Sequence, residues 1–166
     1  WYMDDNSPVS QETLDSLGVF QRQIDAENYE QELSALCEER GYAHRSIVNI
    51  CKEYMPDLDQ KLRMFFEEHL HEYEEIRFFM EGSGYFDVRD QGDRWIRLHP
   101  KKGDLIVLPA GIYHRFTLDD SMYAKAMRLF VKEQKEPVWT PFNRSEKETD
   151  EMPARAQYVK HFLNNQ

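Results

Sequence analysis

The spacing of the histidines in the segment 69–75 restricts both the local fold and the chemistry of this chain. His69 and His71 are two residues apart, Glu75 follows four residues later, and His114 comes after a later turn. Side chains two residues apart share one face of a β-strand, whereas on a helix they diverge. If the strand continues, Glu75 lies on the same face as the histidines. The spacing therefore predicts strands from which three imidazoles and one carboxylate converge on one divalent metal ion.

The composition is that of a globular domain without a nucleic-acid partner. The 166 residues have a mass of 20.0 kDa and are 40% hydrophobic, which is sufficient for one core. The net charge of −10 argues against binding to nucleic acid or to anionic lipid, since both rely on clustered lysine and arginine. The apolar runs are too short to cross a bilayer. We expect one domain over 1–166, with no nucleic-acid partner and no membrane span.

The cysteines and the visible start of the sequence bear on the cellular compartment. Cys37 and Cys51 lie in segments with a helix-like pattern, and buried thiols explain so few cysteines better than a disulfide does. No basic segment followed by an apolar one is visible, although the sequence begins at Trp1 and would not show a signal on preceding residues. We expect a cytoplasmic protein, with nuclear residence also compatible with its size, and a monomer.

Helix patterns dominate the first third of the sequence, and strand patterns follow. Helices are predicted at 10–17, 28–40, 46–54, 57–66 and 155–163. A short strand is predicted at 19–24, and six β-rich runs separated by polar turns lie at 76–80, 85–88, 95–98, 104–108, 113–117 and 126–131. The stretch 144–151 has the composition of a polar loop.

These elements predict a mainly β protein of the α+β class. A mainly helical N-terminal layer (1–66) packs on a β-barrel core (67–142), which carries the metal site. A C-terminal loop and helix (143–166) complete the single domain.

The four candidate metal ligands belong to two sequence motifs that also contain glycines at fixed spacing. The first reads HxHxxxE from His69, followed by six residues and Gly82, and the second reads GxxxxxPxGxxH and ends at His114. Together they resemble the two motifs of the cupin superfamily, with every ligand position matched. The departures, Arg63 in place of a leading glycine and Leu118 where an asparagine can follow, do not touch a ligand position. The resemblance implies a cupin jelly-roll β-barrel.

Longer segments resemble one cupin family, the acireductone dioxygenases of eukaryotic type. The strongest similarity lies in 67–71 (EEHLH), 74–77 (EEIR), 82–90 (GSGYFDVRD) and 108–116 (LPAGIYHRF). It extends to 1–5 (WYMDD), 125–130 (KAMRLF), 137–139 (PVW) and 157–160 (QYVK). The similarity thus spans nearly the whole sequence.

The resemblance implies a metal-dependent dioxygenase of methionine salvage that acts on acireductone, 1,2-dihydroxy-5-(methylthio)pent-1-en-3-one, and O2. It implies one Fe(II) or Ni(II) ion per monomer, with His69, His71, Glu75 and His114 as ligands. With iron the expected products are 4-methylthio-2-oxobutanoate and formate. With nickel they are 3-methylthiopropanoate, formate and carbon monoxide. Arg77 is implied as the catalytic residue that holds the negative charge of the substrate.

By the same resemblance, Phe65, Phe79 and Phe116 line the pocket for the methylthio tail, with Trp139 as a weaker candidate. Strand parity supports two of them, because Phe79 lies two residues after Arg77 and Phe116 two residues after His114. Plain core packing remains open for each phenylalanine.

The ligand set itself indicates what the site can bind. Three neutral imidazoles and one carboxylate around a divalent ion leave a charge of about +1, which Arg77 raises to about +2. Such a cavity favours a doubly deprotonated enediol, which can fill the two remaining positions of an octahedral ion, with the metal acting as Lewis acid and template. These ligand types fit Fe, Ni, Mn or Zn better than Ca or Mg. A plain strand role for Arg77, paired with Glu75 or Glu67, remains open.

Two further functions remain open at this point. One is a germin-like oxidase with manganese, and the other is a non-catalytic, metal-binding cupin that serves as an interaction module.

Overall fold

The computed structural model describes residues 1–134 and 138–164. In these ranges the helices are α1 (Gln11–Ser16), α2 (Tyr29–Arg40), α3 (Leu58–Phe66) and α4 (Pro153–Tyr158). The strands are β1 (Phe20–Gln23), β2 (Tyr42–Ile50), β3 (His69–Leu70), β4 (Glu75–Gly82), β5 (Gly84–Arg89), β6 (Trp95–Leu98), β7 (Asp104–Leu108), β8 (His114–Leu118), β9 (Ala124–Val131) and β10 (Phe142–Asn143). A 3-10 turn (Lys147–Glu151) precedes α4, and a π-helical turn (Val159–Leu163) follows it.

The strands form two five-stranded sheets in which all neighbours are antiparallel. The first sheet has the order β1-β7-β4-β9-β2, and the second has the order β10-β3-β8-β5-β6. The predicted mainly β architecture is confirmed.

The central strands of the first sheet are buried on both faces, because their alternate side chains enter different cores. Phe79 and Ile106 pack between the two sheets, together with Phe86 of the second sheet. Their neighbours Phe78 and Val107 belong to a second core on the opposite face, which α2 covers. A strand buried on both faces reads as a nearly continuous apolar run, as β7 does.

The helix predicted at 46–54 is wrong, because most of this segment belongs to β2. Its pairing with β9 runs from Tyr42 opposite Val131 to Ile50 opposite Ala124, with one irregularity. The apolar residues Ile47, Val48 and Ile50 also fit a helical spacing, but they are β-branched and favour an extended chain. The N-terminal layer therefore contains an edge strand of the first sheet.

The other predicted elements are present with small shifts in their bounds. α2 ends at Gly41, whose φ of 73° provides the left-handed C-cap. The predicted C-terminal helix is helical throughout but changes from α to π geometry after Tyr158, and the polar loop contains the 3-10 turn. Pro137, part of one motif above, lies outside the described residues.

Both cysteines are free. Cys37 is buried in α2 as expected, whereas Cys51 follows the end of β2 and is only half-buried. Over the described ranges, no helix is sufficiently long and apolar to cross a membrane.

Candidate metal centre

The four candidate ligands come together between the two sheets. His69 opens β3 and lies opposite His114, the first residue of β8, in the second sheet. β3 ends at Leu70, so the condition that one strand continues from His69 to Glu75 is not met. The loop that contains His71 crosses to the first sheet, where Glu75 opens β4. The carboxylate therefore approaches the imidazoles from the opposite sheet, which a flat run of strand could not achieve.

A backbone carbonyl orients each of the three imidazoles. Nδ1 of His69 lies 2.6 Å from the carbonyl oxygen of Glu67. Nδ1 of His71 lies 2.7 Å from that of Thr140, and Nδ1 of His114 lies 3.0 Å from that of Ile112. A carbonyl oxygen only accepts hydrogen bonds, so each Nδ1 carries the proton and donates it. Each Nε2 is left with a free lone pair, which is the form that binds a metal.

The imidazoles converge closely enough to share one ion. One nitrogen from each ring lies within 4.8 Å of the others, and the buried Nε2 atoms of His71 and His114 have no hydrogen-bond partner among the described residues. Oε2 of Glu75 lies 2.9 Å from Nε2 of His71 and 3.5 Å from Nε2 of His114. A carboxylate oxygen facing unprotonated nitrogens is repulsive unless a cation lies among them. The donor set therefore fits a divalent metal ion.

The protonation states at the site also suit a metal. Burial lowers the pKa of His69 to about 3, with further lowering by the neighbouring His114 and His71. Burial alone would raise the pKa of Glu75, but the positive charge of Arg77 holds it well below its usual range. At neutral pH the site thus offers a neutral imidazole at His69 and a carboxylate at Glu75.

Arg77 forms an ion pair within the site and also faces the cavities beside it. Nη2 of Arg77 lies 3.4 Å from Oε1 of Glu75, and Nη1 donates to the carbonyl oxygen of Ile76 at 2.9 Å. The same side chain also lines the cavities beside the site. The ion pair is with Glu75, and the structure gives none between Arg77 and Glu67.

Two cavities border the site and share Glu75, Arg77, Arg128 and Trp139 as lining residues. The outer cavity, of about 390 Å³, is also lined by the exposed side chains of Glu72 and Tyr73. The inner cavity, of about 230 Å³, is lined mainly by apolar side chains. A site between one cavity with several charged lining residues and another with a mainly apolar lining suits a small molecule with an anionic head and an apolar tail.

The structure brings the three predicted phenylalanines together in the inner cavity. Phe65, Phe79 and Phe116 all line it, and the ring centroids of Phe65 and Phe116 are 6.3 Å apart. Phe79 and Phe116 are also buried members of the core between the sheets, so packing and pocket roles coincide there. Phe65 is only half-buried.

Trp139 closes the site on the side of the histidines. Its ring centroid lies 5.5 Å from that of His69 and 5.9 Å from that of His71. The following residue, Thr140, supplies the carbonyl that orients His71. β10, which begins two residues later, pairs with β3, so this segment is held against the strand that carries His69.

The sequence reasoning missed Arg128 and the apolar wall formed by β2. Arg128 shares the inward face of β9 with Ala126, and this parity is the signal that could have identified it. Val48 and Ile50 line the inner cavity but were hidden by the incorrect helix prediction for their segment.

Comparison with protein families places the chain among known proteins. The family model described as the ARD/ARD′ family matches residues 3–141. The chain belongs to this family. It is 51% identical to "Acireductone dioxygenase" of Rattus norvegicus over 175 residues, which cover 96% of this chain and 94% of the relative. It is also 51% identical to "Acireductone dioxygenase 2" of Vitis vinifera over 177 residues, which cover 98% and 86%.

A solved structure supports the ARD/ARD′ assignment. "Acireductone dioxygenase from Bacillus anthracis with cadmium ion in active center" superposes with a TM-score of 0.73 at 25% identity, covering 85% of this chain and 95% of that one. The cupin fold predicted from the two motifs and the family predicted from the longer segments are confirmed, and with them the class of metal-dependent dioxygenases.

Proposed function

We propose that this ARD/ARD′ family member cleaves acireductone with O2 in methionine salvage. One Fe(II) or Ni(II) ion would be held by Nε2 of His69, His71 and His114 and by the Glu75 carboxylate. The observation that carries the proposal is the pair of buried Nε2 atoms that face a carboxylate beside a charged and an apolar cavity and have no hydrogen-bond partner in the described part of the chain. When bound, such an ion supplies a Lewis acid that orients and polarises a chelating enediolate.

Different side chains around the ion bind the two ends of the substrate. The enediolate head lies at the junction of the cavities, where Arg77 acts as the catalytic residue that offsets its negative charge. The methylthio tail enters the inner cavity among Phe65, Phe79 and Phe116. Burial of this tail excludes water from one side of the reacting head, and Trp139 excludes it from the side of the histidines.

The identity of the metal decides the products in this proposal. With Fe(II) the products are 4-methylthio-2-oxobutanoate and formate, and with Ni(II) they are 3-methylthiopropanoate, formate and carbon monoxide. The binding residues of the chain are the same in both reactions, so a single purified protein gives either set.

The test is aerobic turnover of freshly generated acireductone by protein that is stripped of metal and reloaded separately with Fe(II) or Ni(II). We expect consumption with both metals, different products from each, and loss of consumption in His114→Ala. His44→Ala is the matched control, because His44 is exposed on β2 and distant in sequence from the ligands. A metal-loaded protein that leaves acireductone decay at its uncatalysed rate would contradict the proposal and leave a metal-binding cupin without this activity.

We also propose that the chain functions as a single-domain monomer in the cytoplasm, with nuclear residence compatible with its 20.0 kDa mass. Its net charge of −10 supports the expectation that it has no nucleic-acid partner.

A further inference from the structure

Two arginines face each other across neighbouring strands beside the metal centre. Arg77 of β4 lies directly opposite Arg128 of β9 in the register of the first sheet. Both side chains line both cavities. Like charges directly opposite each other destabilise a sheet. Such an arrangement in the wall of a cavity indicates that something binding in that cavity compensates the charge.

The two arginines differ in how their charges are balanced. Arg77 forms an ion pair with Glu75 and donates to the carbonyl oxygen of Ile76. Arg128 donates from Nε to Oγ of Ser46 at 3.0 Å, and it forms no ion pair with a carboxylate among residues 1–134 and 138–164. Glu75 acts favourably on this charge from a distance, but no carboxylate in the described part of the chain forms a direct ion pair with Arg128.

The environment of Arg128 makes this charge costly in the protein alone. The side chain is half-buried, and its burial, followed by the nearby charge of Arg77, lowers the pKa of Arg128. The guanidinium carbon lies 5.6 Å from the centroid of the Phe130 ring, which gives it an apolar neighbour rather than a carboxylate. Its hydrogen bond to Ser46 uses Nε alone, so neither terminal nitrogen donates to an acceptor within the described ranges, and both can donate to a ligand in the cavity.

We propose that Arg128 is a second substrate-binding residue, which pairs with the enediolate of the substrate alongside Arg77, and that Ser46 is its positioning residue. The proposal rests on the proposed function, since it concerns the same cavity. A guanidinium presents parallel N–H groups that match two neighbouring anionic oxygens, as in a doubly deprotonated enediol. With Arg128 included, the charge around a bound divalent ion rises to about +3, which strengthens the preference for a dianion.

This role predicts an unusual combination of effects for Arg128→Gln. If Arg128 binds substrate, its removal relieves the repulsion with Arg77, so the melting temperature does not fall, while anion binding weakens. If Arg128 only packs on Phe130 and Ser46, its removal lowers the melting temperature and leaves anion binding unchanged. The melting temperature and the anion affinity of Arg128→Gln, measured together, therefore distinguish the binding role from the packing role.

The test uses the holo-protein loaded with Zn(II), which is not redox-active, and squarate as a dianionic probe with adjacent oxygens. Isothermal titration is expected to show binding that weakens at least about tenfold in Arg128→Gln and less in Arg128→Lys, because the charge is retained. Ser46→Ala is expected to give a smaller loss. Arg45→Gln is the matched control, since Arg45 lies next to Ser46 but pairs outside the cavity with Glu30. It is expected to bind squarate as the wild type does.

Squarate binding by Arg128→Gln within about twofold of the wild type would overturn the proposal, as would a wild-type protein that does not bind squarate. A fall in the melting temperature of Arg128→Gln with intact squarate binding would assign Arg128 to packing. Turnover of acireductone by the wild-type protein is measured alongside. If the wild-type protein turns over acireductone and Arg128→Gln binds squarate as the wild type does, only the role of Arg128 is contradicted. If squarate binding depends on Arg128 but the wild-type protein does not turn over acireductone, the proposed function is contradicted instead.

Discussion

The proton on Nδ1 of each histidine decides what the metal centre can bind. Carbonyl oxygens of Glu67, Thr140 and Ile112 accept that proton, so none of the three imidazoles has to rearrange before Nε2 can bind a metal. Two of these carbonyls lie two residues before the histidine they orient, within the same chain segment. The third comes from the segment that also carries Trp139, which makes His71 dependent on a more distant part of the chain.

The buried imidazole of His69 predicts acid sensitivity of the metal-free protein. Its pKa is about 3 in the fold and 6.5 when unperturbed, so between these values the unfolded chain binds a proton that the folded chain does not. Its contribution to stability is complete above pH 6.5 and is lost as the pH falls toward about 3, by up to about 1.4 kcal/mol per pH unit. Chemical denaturation at several pH values measures the slope.

The matched variants are His69→Gln and His44→Gln. Replacement of His69 is expected to flatten the dependence of the unfolding free energy on pH, whereas replacement of the exposed His44 leaves it steep. Equal slopes in His69→Gln and the wild type would show that another group is responsible.

At the scale of elements, the turn that precedes β8 fixes the position of His114. Gly111 in this turn has a φ of 79°, and a Cβ there would lie 2.2 Å from the carbonyl oxygen of Ala154 in α4. The C-terminal helix therefore packs directly on the backbone that delivers a metal ligand, and only glycine fits between them. This contact gives the second motif a structural reason for its glycine.

Gly111→Ala is expected to lower the free energy of unfolding by about 3 kcal/mol, because it adds a steric clash to the strain of a positive φ. Gly41→Ala is the control, since Gly41 has a similar φ of 73° but no atom within 4 Å of the added Cβ. That variant is expected to lose only about 1 kcal/mol, the conformational part alone. Equal losses in thermal or chemical denaturation would mean that α4 yields to the added methyl group.

At the scale of the whole molecule, the space between the sheets is both the core and the binding cavity. The phenylalanines illustrate this double use, since Phe79 is 1% exposed in the core while Phe65 of α3 is half-buried at the same cavity. An apolar substrate tail can thus be bound by side chains that the fold already requires. Only those at the cavity edge can be changed without loss of stability.

Phe65→Leu and Phe79→Leu are expected to distinguish binding of the substrate tail from packing of the core. Phe79→Leu is expected to cost about 1–2 kcal/mol of stability because it leaves a cavity in a packed core. Phe65→Leu is expected to raise the KM for acireductone with little change in the melting temperature. Phe66→Leu is the control, because Phe66 is 39% exposed and lies outside the inner cavity. A KM in Phe65→Leu equal to that of Phe66→Leu would restrict Phe65 to packing.

Local patterns in the sequence predicted much of the barrel. The strands at 95–98 and 104–108 have the predicted bounds, because polar turns delimit short β-rich runs. β2 was misjudged because its extended form depends on β9, about 80 residues later in the chain, and the local spacing of its apolar residues also fits a helix.

The sequence allowed prediction of which side chains form the candidate site, but not of how the chain brings them together. The two motifs contain all four candidate ligands, while the crossing of the loop after β3 to the opposite sheet has no signal in the spacing. The opposition of Arg77 and Arg128 depends on the register between β4 and β9, which only the folded sheet defines. Strand parity within each segment predicted which side chains face inward, as for Phe79 after Arg77.

X-ray absorption at the nickel K-edge of the Ni(II)-loaded protein tests most directly whether these four residues hold the metal. We expect one nickel ion per chain in a nitrogen and oxygen environment, with the outer-shell scattering of three imidazoles. In His71→Ala we expect one imidazole fewer. Sulfur ligands, a shell of oxygen alone, or a spectrum unchanged by the loss of His71 would contradict the site described above.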